Sequence, residues 1–388
     1  MSKLNANSIE FGSLTTAQRN ALTGVANGTT IYNSSTNAIE TYLGPSGWVI
    51  VRSGDGIIGA SGGVLVSPNP GGYEIRHFPS TGASTFSYTS ATSSATLDVV
   101  VVAGGGSGGE RGGGGGGGGG VVYYPNLPLG SYTGSTSIPI TVGTGGGPRR
   151  TGSGNAGGDA GTNSTFGNPS TQAPIYLVAI GGGGGRSDTY NSRNDNPTTP
   201  SGPGQQARGG SGGGQHECTG SQATDSNGFQ PNTPNIPANS RTYGYGNPGG
   251  RSNPGDGSGA GCPLWGGGGG GAGGAGGGGN TGGTSGGPGG IGIGPPIISW
   301  MPASLGDGGW FGGGGGGGVH GPPSTGGSGG QGGGGAARGR SGPYGGFPGT
   351  NGTGGGGGGA SVDTSSSPAS DSGAGGNGIV VIRYKNAG

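Results

Sequence analysis

Residues 97–124 read LDVVVVAGGGSGGERGGGGGGGGGVVYY, and the reading of that stretch decides the fold. From Leu97 to Val102 nearly every position is apolar, as in a strand covered on both faces, and Val121-Val122-Tyr123-Tyr124 is a second strand candidate. Between them glycine dominates, unbroken from Gly112 to Gly120. Glycine costs roughly 1 kcal/mol more than alanine to order, so such a run is ordered only where backbone hydrogen bonds offset that loss. Otherwise it is disordered.

Outward from this stretch, Tyr73-Glu74-Ile75-Arg76-His77-Phe78 alternates like a half-buried strand, and Ser84–Thr89, Ile138–Val142 and Ile175–Ile180 are further candidates. The chain closes on Gly378-Ile379-Val380-Val381-Ile382-Arg383-Tyr384, a buried type of strand. Strand-forming sequence therefore brackets the glycine-rich region, which predicts one β-framed domain over residues 72–388. Residues 1–52 differ, with no glycine run. They predict a short helix over Thr15–Leu22, with Ser13 or Thr15 as its cap, Gln18 three residues after Thr15 and Gly24 as its stop, and strands at Thr29–Asn33, Ala38–Leu43 and Trp48–Val51. Residues 53–71 read as a Gly/Pro/Ser linker. The expected class is all-β.

The chain holds 117 glycines and 28 prolines among 388 residues, with an apolar fraction of 26%, so one large side-chain core cannot enclose it and an enzyme scaffold is not expected. Sixteen basic residues face fifteen acidic ones without a block of either sign, which argues against nucleic acid or an anionic membrane as partner. No apolar stretch of membrane-spanning length occurs, and the start lacks an apolar signal segment, so the expectation is synthesis in a cytoplasm, with exposure through release by lysis or assembly onto a particle.

Glycine runs recur at Gly112–Gly120, Gly181–Gly185, Gly266–Gly271, Gly312–Gly318 and Gly354–Gly359. At about 3.1 Å per residue in a polyproline-II geometry, five to nine glycines make rods of roughly 15–28 Å. Collagen is excluded, because glycine holds no strict period of three along the chain and proline is too rare. Two states remain: a flexible linker, or a polyglycine II bundle of threefold rods hydrogen-bonded side by side. The bracketing strands and the similar run lengths favour the bundle.

Residues 28–51, GTTIYNSSTNAIETYLGPSGWVIV, resemble a β-module that recurs in structural proteins of tailed phages. From Tyr73 on, YEIRHF, LDVVVVAGGGSGG, ITVGTGG, GTNSTFG, YLVAIGGGGG and the closing GNGIVVIRY resemble the glycine-rich domain of bacteriophage tail-fibre and adhesin proteins. That resemblance implies a virion fibre or adhesin subunit, anchored to other virion proteins through residues 1–52. Its loops between polyglycine II rods would meet a host cell-surface receptor, a glycan or an outer-membrane protein. Fibres of this kind are commonly trimeric, which implies a homotrimer. The alternatives are a purely structural decoration or fibre-shaft protein, or a secreted-matrix or RNA-binding low-complexity protein.

Motifs for chemistry are weak. The strand before Gly104-Gly105-Gly106-Ser107-Gly108-Gly109 leads to no helix, as a dinucleotide site would require, and no lysine follows a glycine-rich loop as in a P-loop. His216, Glu217, Cys218, Cys262 and His320 match no metal-ligand spacing, so no metal or cofactor is expected. Cys218 and Cys262 could pair in a disulfide worth up to about 4 kcal/mol, or stand as two free thiols. Between the glycine runs lie segments that concentrate aromatics with Asn, Asp and Arg, among them Arg186–Arg208, Gln215–Pro248 and Ile291–Phe311. On a rigid scaffold this is the composition of a recognition surface, with Tyr190, Tyr243, Tyr245 and Trp300 as candidate receptor-binding anchors. Trp265, Trp310 and Phe311, which abut glycine runs, read as rod caps.

Overall fold

The computed structural model describes residues 12–35, 38–50, 56–66, 72–91, 94–129, 136–149, 157–167, 176–187, 209–215, 228, 230, 243–252, 265–279, 285–319, 325–339, 345–361 and 371–386.

In the N-terminal region, β1 (Ser13–Leu14) is followed by helix α1 (Thr16–Asn20), β2 (Thr30–Asn33), β3 (Ala38–Tyr42), a 3₁₀ turn (Gly44–Ser46) and β4 (Trp48–Ile50). The four strands pair in sequence order, β1 parallel to β2 and the rest antiparallel. The capping box forms as its spacing predicts: the Gln18 amide donates to Thr15 Oγ1 at 3.2 Å, and the Thr15 amide donates to Gln18 Oε1 at 2.8 Å. A buried carboxylate, Glu40, closes the module by accepting from Arg19 at 2.6 Å and from Asn33 Nδ2 at 3.0 Å.

The glycine-rich domain is framed by β5 (Ile57–Ile58), β6 (Val64–Val66), β7 (Tyr73–Phe78), β8 (Gly82–Tyr88), β9 (Ser90–Ala91), β10 (Thr96–Val102), β11 (Val121–Pro128), β12 (Thr136–Val142), β13 (Ser164–Phe166), β14 (Leu177–Ala179), β15 (Tyr243–Tyr245) and β16 (Ile379–Lys385). They build a six-stranded sheet ordered β15-β11-β10-β16-β7-β6, a four-stranded sheet ordered β14-β13-β12-β8, and the pair β5-β9. The fold is mostly β with almost no helix. The stretch 53–71, read from its composition as a linker, contributes β5 and β6, and Ile57 is buried in the core.

The two larger sheets pack face to face. Val99, Val101, Val122, Val380 and Ile382 of one meet Phe86, Ile138, Ile140, Phe166 and Leu177 of the other. On the opposite face of the six-stranded sheet, Val100, Val102, Val121 and Val381 bury a second core against Ile293, Ile298, Met301, Leu305 and Phe311. This is why four consecutive valines occur at 99–102: alternate side chains enter different cores, and both are apolar.

Beyond the sandwich the chain continues as extended, buried glycine segments whose hydrogen bonds repeat every third residue. In 113–120, the amides of Gly114, Gly117 and Gly120 donate to the carbonyls of Arg186, Gly183 and Ile180, each at 2.8 Å. Gly115 and Gly118 donate to Gly267 and Gly270, and Gly116 and Gly119 to Gly357 and Gly354. Each successive amide therefore addresses a different neighbouring segment. The same three-way pattern recurs in 103–109, 265–272 and 311–319. A side chain would not fit: a Cβ on Gly116 would lie against the carbonyls of Gly106 and Ser107, closer than real Cβ contacts come. One net hydrogen bond of about 1 kcal/mol per residue is of the size needed to offset glycine's ordering cost.

Candidate functional site

Chain direction places the ends of these rods. Segment 103–109 leaves β10, and 113–120 returns antiparallel to it into β11. The hydrogen-bond registers set the others in the same alternation. Segments 157–162, 265–272, 285–293, 325–332, 345–350 and 371–378 run toward the sandwich, and 180–186, 209–215, 246–252, 274–279, 311–319, 333–338 and 354–361 run away from it. At the sandwich end the connections include the turns at 332–333 and 351–354, where Gly332, Gly333, Gly352 and Gly354 adopt positive φ. At the far end, flanking rods stop side by side at residues 252 and 265, 279 and 285, 319 and 325, 339 and 345, and 361 and 371. The segments joining these pairs leave and re-enter the bundle on one face. They contain Cys262, His320 and Tyr344, which lie outside the described residues, as do Tyr190, His216, Glu217 and Cys218.

The remaining candidate anchors lie at the sandwich. Residues 294–310 do not project as a loop; they fold back as a cover over the outer face of the six-stranded sheet, with Ile298 and Met301 buried. Trp300 sits in this cover, half-buried. Its Nε1–H donates to the Tyr123 hydroxyl at 3.2 Å, and the two rings lie 6.4 Å apart. The Arg383 guanidinium is held between the rings of Trp300 and Tyr73, at 4.9 and 4.8 Å, and donates from Nε and Nη2 to Asp98 Oδ2 at 2.7 and 2.5 Å. Asp98 Oδ1 also accepts the Asn126 amide at 2.8 Å. Tyr245 packs against the same second core, and Tyr243 stands opposite Tyr123 in the β11–β15 ladder. Trp300 and Tyr245 are thus already engaged in packing over this sheet, Trp300 also in ring contact with Tyr123 and Arg383, while Tyr243 belongs to its edge strand. Phe311 is fully buried in that core and terminates a rod, as a cap should.

Titration is perturbed at two nearby tyrosines and at His77. Burial, reinforced by the hydrogen bond to Glu74, pushes the Tyr384 phenol far up, although Arg76 opposes the shift by donating to its oxygen at 2.9 Å. Burial also raises Tyr124 and lowers the His77 imidazole. Among the described residues no three His, Cys, Asp or Glu side chains are grouped to hold a metal ion.

The residues that sequence reasoning missed sit where sheet becomes rod. Changing a two-residue repeat into a three-residue one strands backbone groups, and short polar side chains take them up. Ser164 Oγ accepts from the Gly143 amide at 2.9 Å and donates to the Val102 carbonyl at 2.7 Å. Asn163 Oδ1 accepts from Gly181, Gln230 Oε1 from Ile180, and Asn377 Oδ1 from Gly145, at 3.0, 2.7 and 3.0 Å. The available signal was positional: Asn163 and Asn377 stand one and two residues before a strand, and Ser164 begins one. A second signal marks two of the outer rods, 285–291 and 325–331, which carry a non-glycine residue at every third position. Thr325, Ser328 and Gln331 are all exposed, beside Pro288 and Ile291 of the neighbouring rod.

A β sandwich whose strands run on into a bundle of glycine segments defines the class. Residues 80–385 match the model of the glycine-rich domain family, and the chain belongs to that family. Among curated proteins none matches its sequence.

Proposed function

We propose that the chain is a virion fibre or adhesin subunit of a bacteriophage, that its glycine segments form a polyglycine II bundle, and that it contacts the host surface through the segments joining the rods. The single observation that carries this reading is the three-way hydrogen bonding of the rods, because a backbone lattice stiff in every lateral direction suits a projection that must hold its tip in place. A repeat of three with an unbroken sequence of glycines is the geometry of left-handed threefold rods. The convergence of rod ends on the face away from the sandwich supports recognition there: polyglycine offers only backbone groups already committed to neighbours, so discrimination between surfaces must come from side chains outside the rods. The partners are other virion proteins, reached through residues 1–52, and a host glycan or outer-membrane protein, with a homotrimer as the assembly.

A structural reading, a decoration or shaft without a receptor, is favoured by one observation, the engagement of Trp300 and Tyr245 in the second core. The two separate in one experiment. The purified full chain is offered to candidate host cells before infection, and purified particles are labelled with antibody against it. Labelled particles and blocked adsorption support the adhesin. Labelled particles with undiminished adsorption leave the structural reading, and particles free of the protein overturn both.

A further inference from the structure

A run of identical glycines has no side-chain pattern, so nothing in it distinguishes one alignment against a neighbour from the same alignment slipped by a residue. The rods nevertheless hold single registers, and those registers are continuous with the strands. In the β10–β11 ladder Val99 faces Tyr124 and Val102 faces Val121. Past the end of that ladder, the amides of Ala103, Gly106 and Gly109 donate to the carbonyls of Gly120, Gly117 and Gly114 at 3.1, 2.9 and 2.9 Å, each step forward on one arm matched by an equal step back on the other. The β10–β16 ladder, in which Val102 faces Ile379, runs on as Gly105 to Gly376 and Gly108 to Gly373, at 2.9 and 3.0 Å. Likewise Ser164 opposite Ala179 in β13–β14 runs on as Gly161 to Gly182 and Gly158 to Gly185, at 2.9 and 2.7 Å. Three ladders therefore change their repeat from two residues to three without changing register. The polar side chains that accommodate the change, Asn163, Ser164, Gln230 and Asn377, all sit at that junction.

We infer that the sandwich is the register clamp of the glycine bundle: its strands carry side chains that mark one alignment, as where Asp98 faces and pairs with Arg383 across β10–β16, and they fix the alignment of the first rods, to which the remaining rods add. Segments 265–272 and 311–319 are aligned in turn by 113–120, through Gly115 to Gly267, Gly118 to Gly270, Gly315 to Gly116 and Gly318 to Gly113. The competing source of register is the turn at 110–112, where Arg111 and Gly112 have positive φ.

Inserting one glycine into Gly112–Gly120 of the full chain separates the two sources. With register counted from Val121, the extra residue moves to the turn. Amides 114–120 and those of Val121–Tyr124 then keep hydrogen-exchange protection within about threefold of the parent. With register set at the turn, the extra residue is forced into β11, and protection of Val121–Tyr124 falls by a hundredfold or more, which would overturn the inference. Refolding of the unaltered chain under pulsed exchange gives an independent reading. The clamp requires β10, β11 and β16 amides to become protected before those of 103–109, 113–120 and 311–319. Rod protection appearing first, or together with the strands, overturns it.

Discussion

Replacing Gly314 by alanine sets local propensity directly against the lattice. Gly314 has no positive φ, and at such a position a Gly→Ala change ordinarily stabilises by about 0.4–1 kcal/mol through the unfolded chain. Here the added methyl would lie against the Gly269 carbonyl and 2.8 Å from the Gly270 carbonyl oxygen, both backbone groups of a neighbouring rod. That rod can yield only by moving away. Four hydrogen bonds of 2.8–2.9 Å meet at this point: Gly314 to Gly290, Gly330 to Gly314, Gly269 to Gly315 and Gly290 to Gly269. Losing two of them and leaving their buried groups unsatisfied costs roughly 1–3 kcal/mol each, so the net expectation is a loss of about 1–5 kcal/mol. Gly147→Ala is the control, since a Cβ there meets only Asp159 Oδ2, at 3.6 Å. In urea titrations followed by circular dichroism, Gly314→Ala shifts the midpoint sharply down while Gly147→Ala leaves it unchanged or slightly raised. Equal midpoints for the two variants would refute the reasoning, because they would mean that the rods are not held at backbone contact.

Arg383→Ala removes the partner of a buried carboxylate and the filling between two rings, and should destabilise by roughly 3 kcal/mol in thermal melts, with the loss reduced by Asp98→Asn in the same chain. Trp300→Ala should cost about 2–3 kcal/mol and raise exchange in residues 294–310 well before the sandwich core, whereas a purely receptor-binding Trp300 would leave stability untouched. His77 is held neutral by burial, so its pKa lies below 6.5 in the fold and near 6.5 when unfolded; stability should be complete above that pH and decline as pH falls toward the folded value. His77→Gln should flatten that part of the stability–pH curve, and an unchanged slope would exclude the residue as its source. Deleting residues 1–52 should leave the glycine-rich domain folded by circular dichroism but absent from purified particles, and normal incorporation would remove the attachment role.

How much was legible follows from what each kind of residue encodes. The valines at 99–102, the alternation at Tyr73–Phe78 and the closing Ile379–Tyr384 carry their own periodicity, so strands and the two-sided burial of β10 could be read without coordinates. The capping pair Thr15 and Gln18 was equally local. Glycine encodes permission and little else: the runs told that backbone could meet backbone, not which segment would meet which. Only the tertiary structure decided that 113–120 lies among 180–186, 265–272 and 354–361, because that choice is made by hydrogen bonds between segments far apart in sequence. The packing of Trp300 was illegible for the same reason. Its neighbours Ile297, Ile298 and Met301 show no strand or helix repeat, and an irregular cover is apolar because of the sheet beneath it, a fact that no local pattern carries. The sequence by itself determined a β frame, a backbone free to pack on itself and the places where it is interrupted. Which rods touch, which ends converge and which aromatics are spent on packing were decided by long-range contacts, since hydrogen bonds between identical glycines depend on position alone.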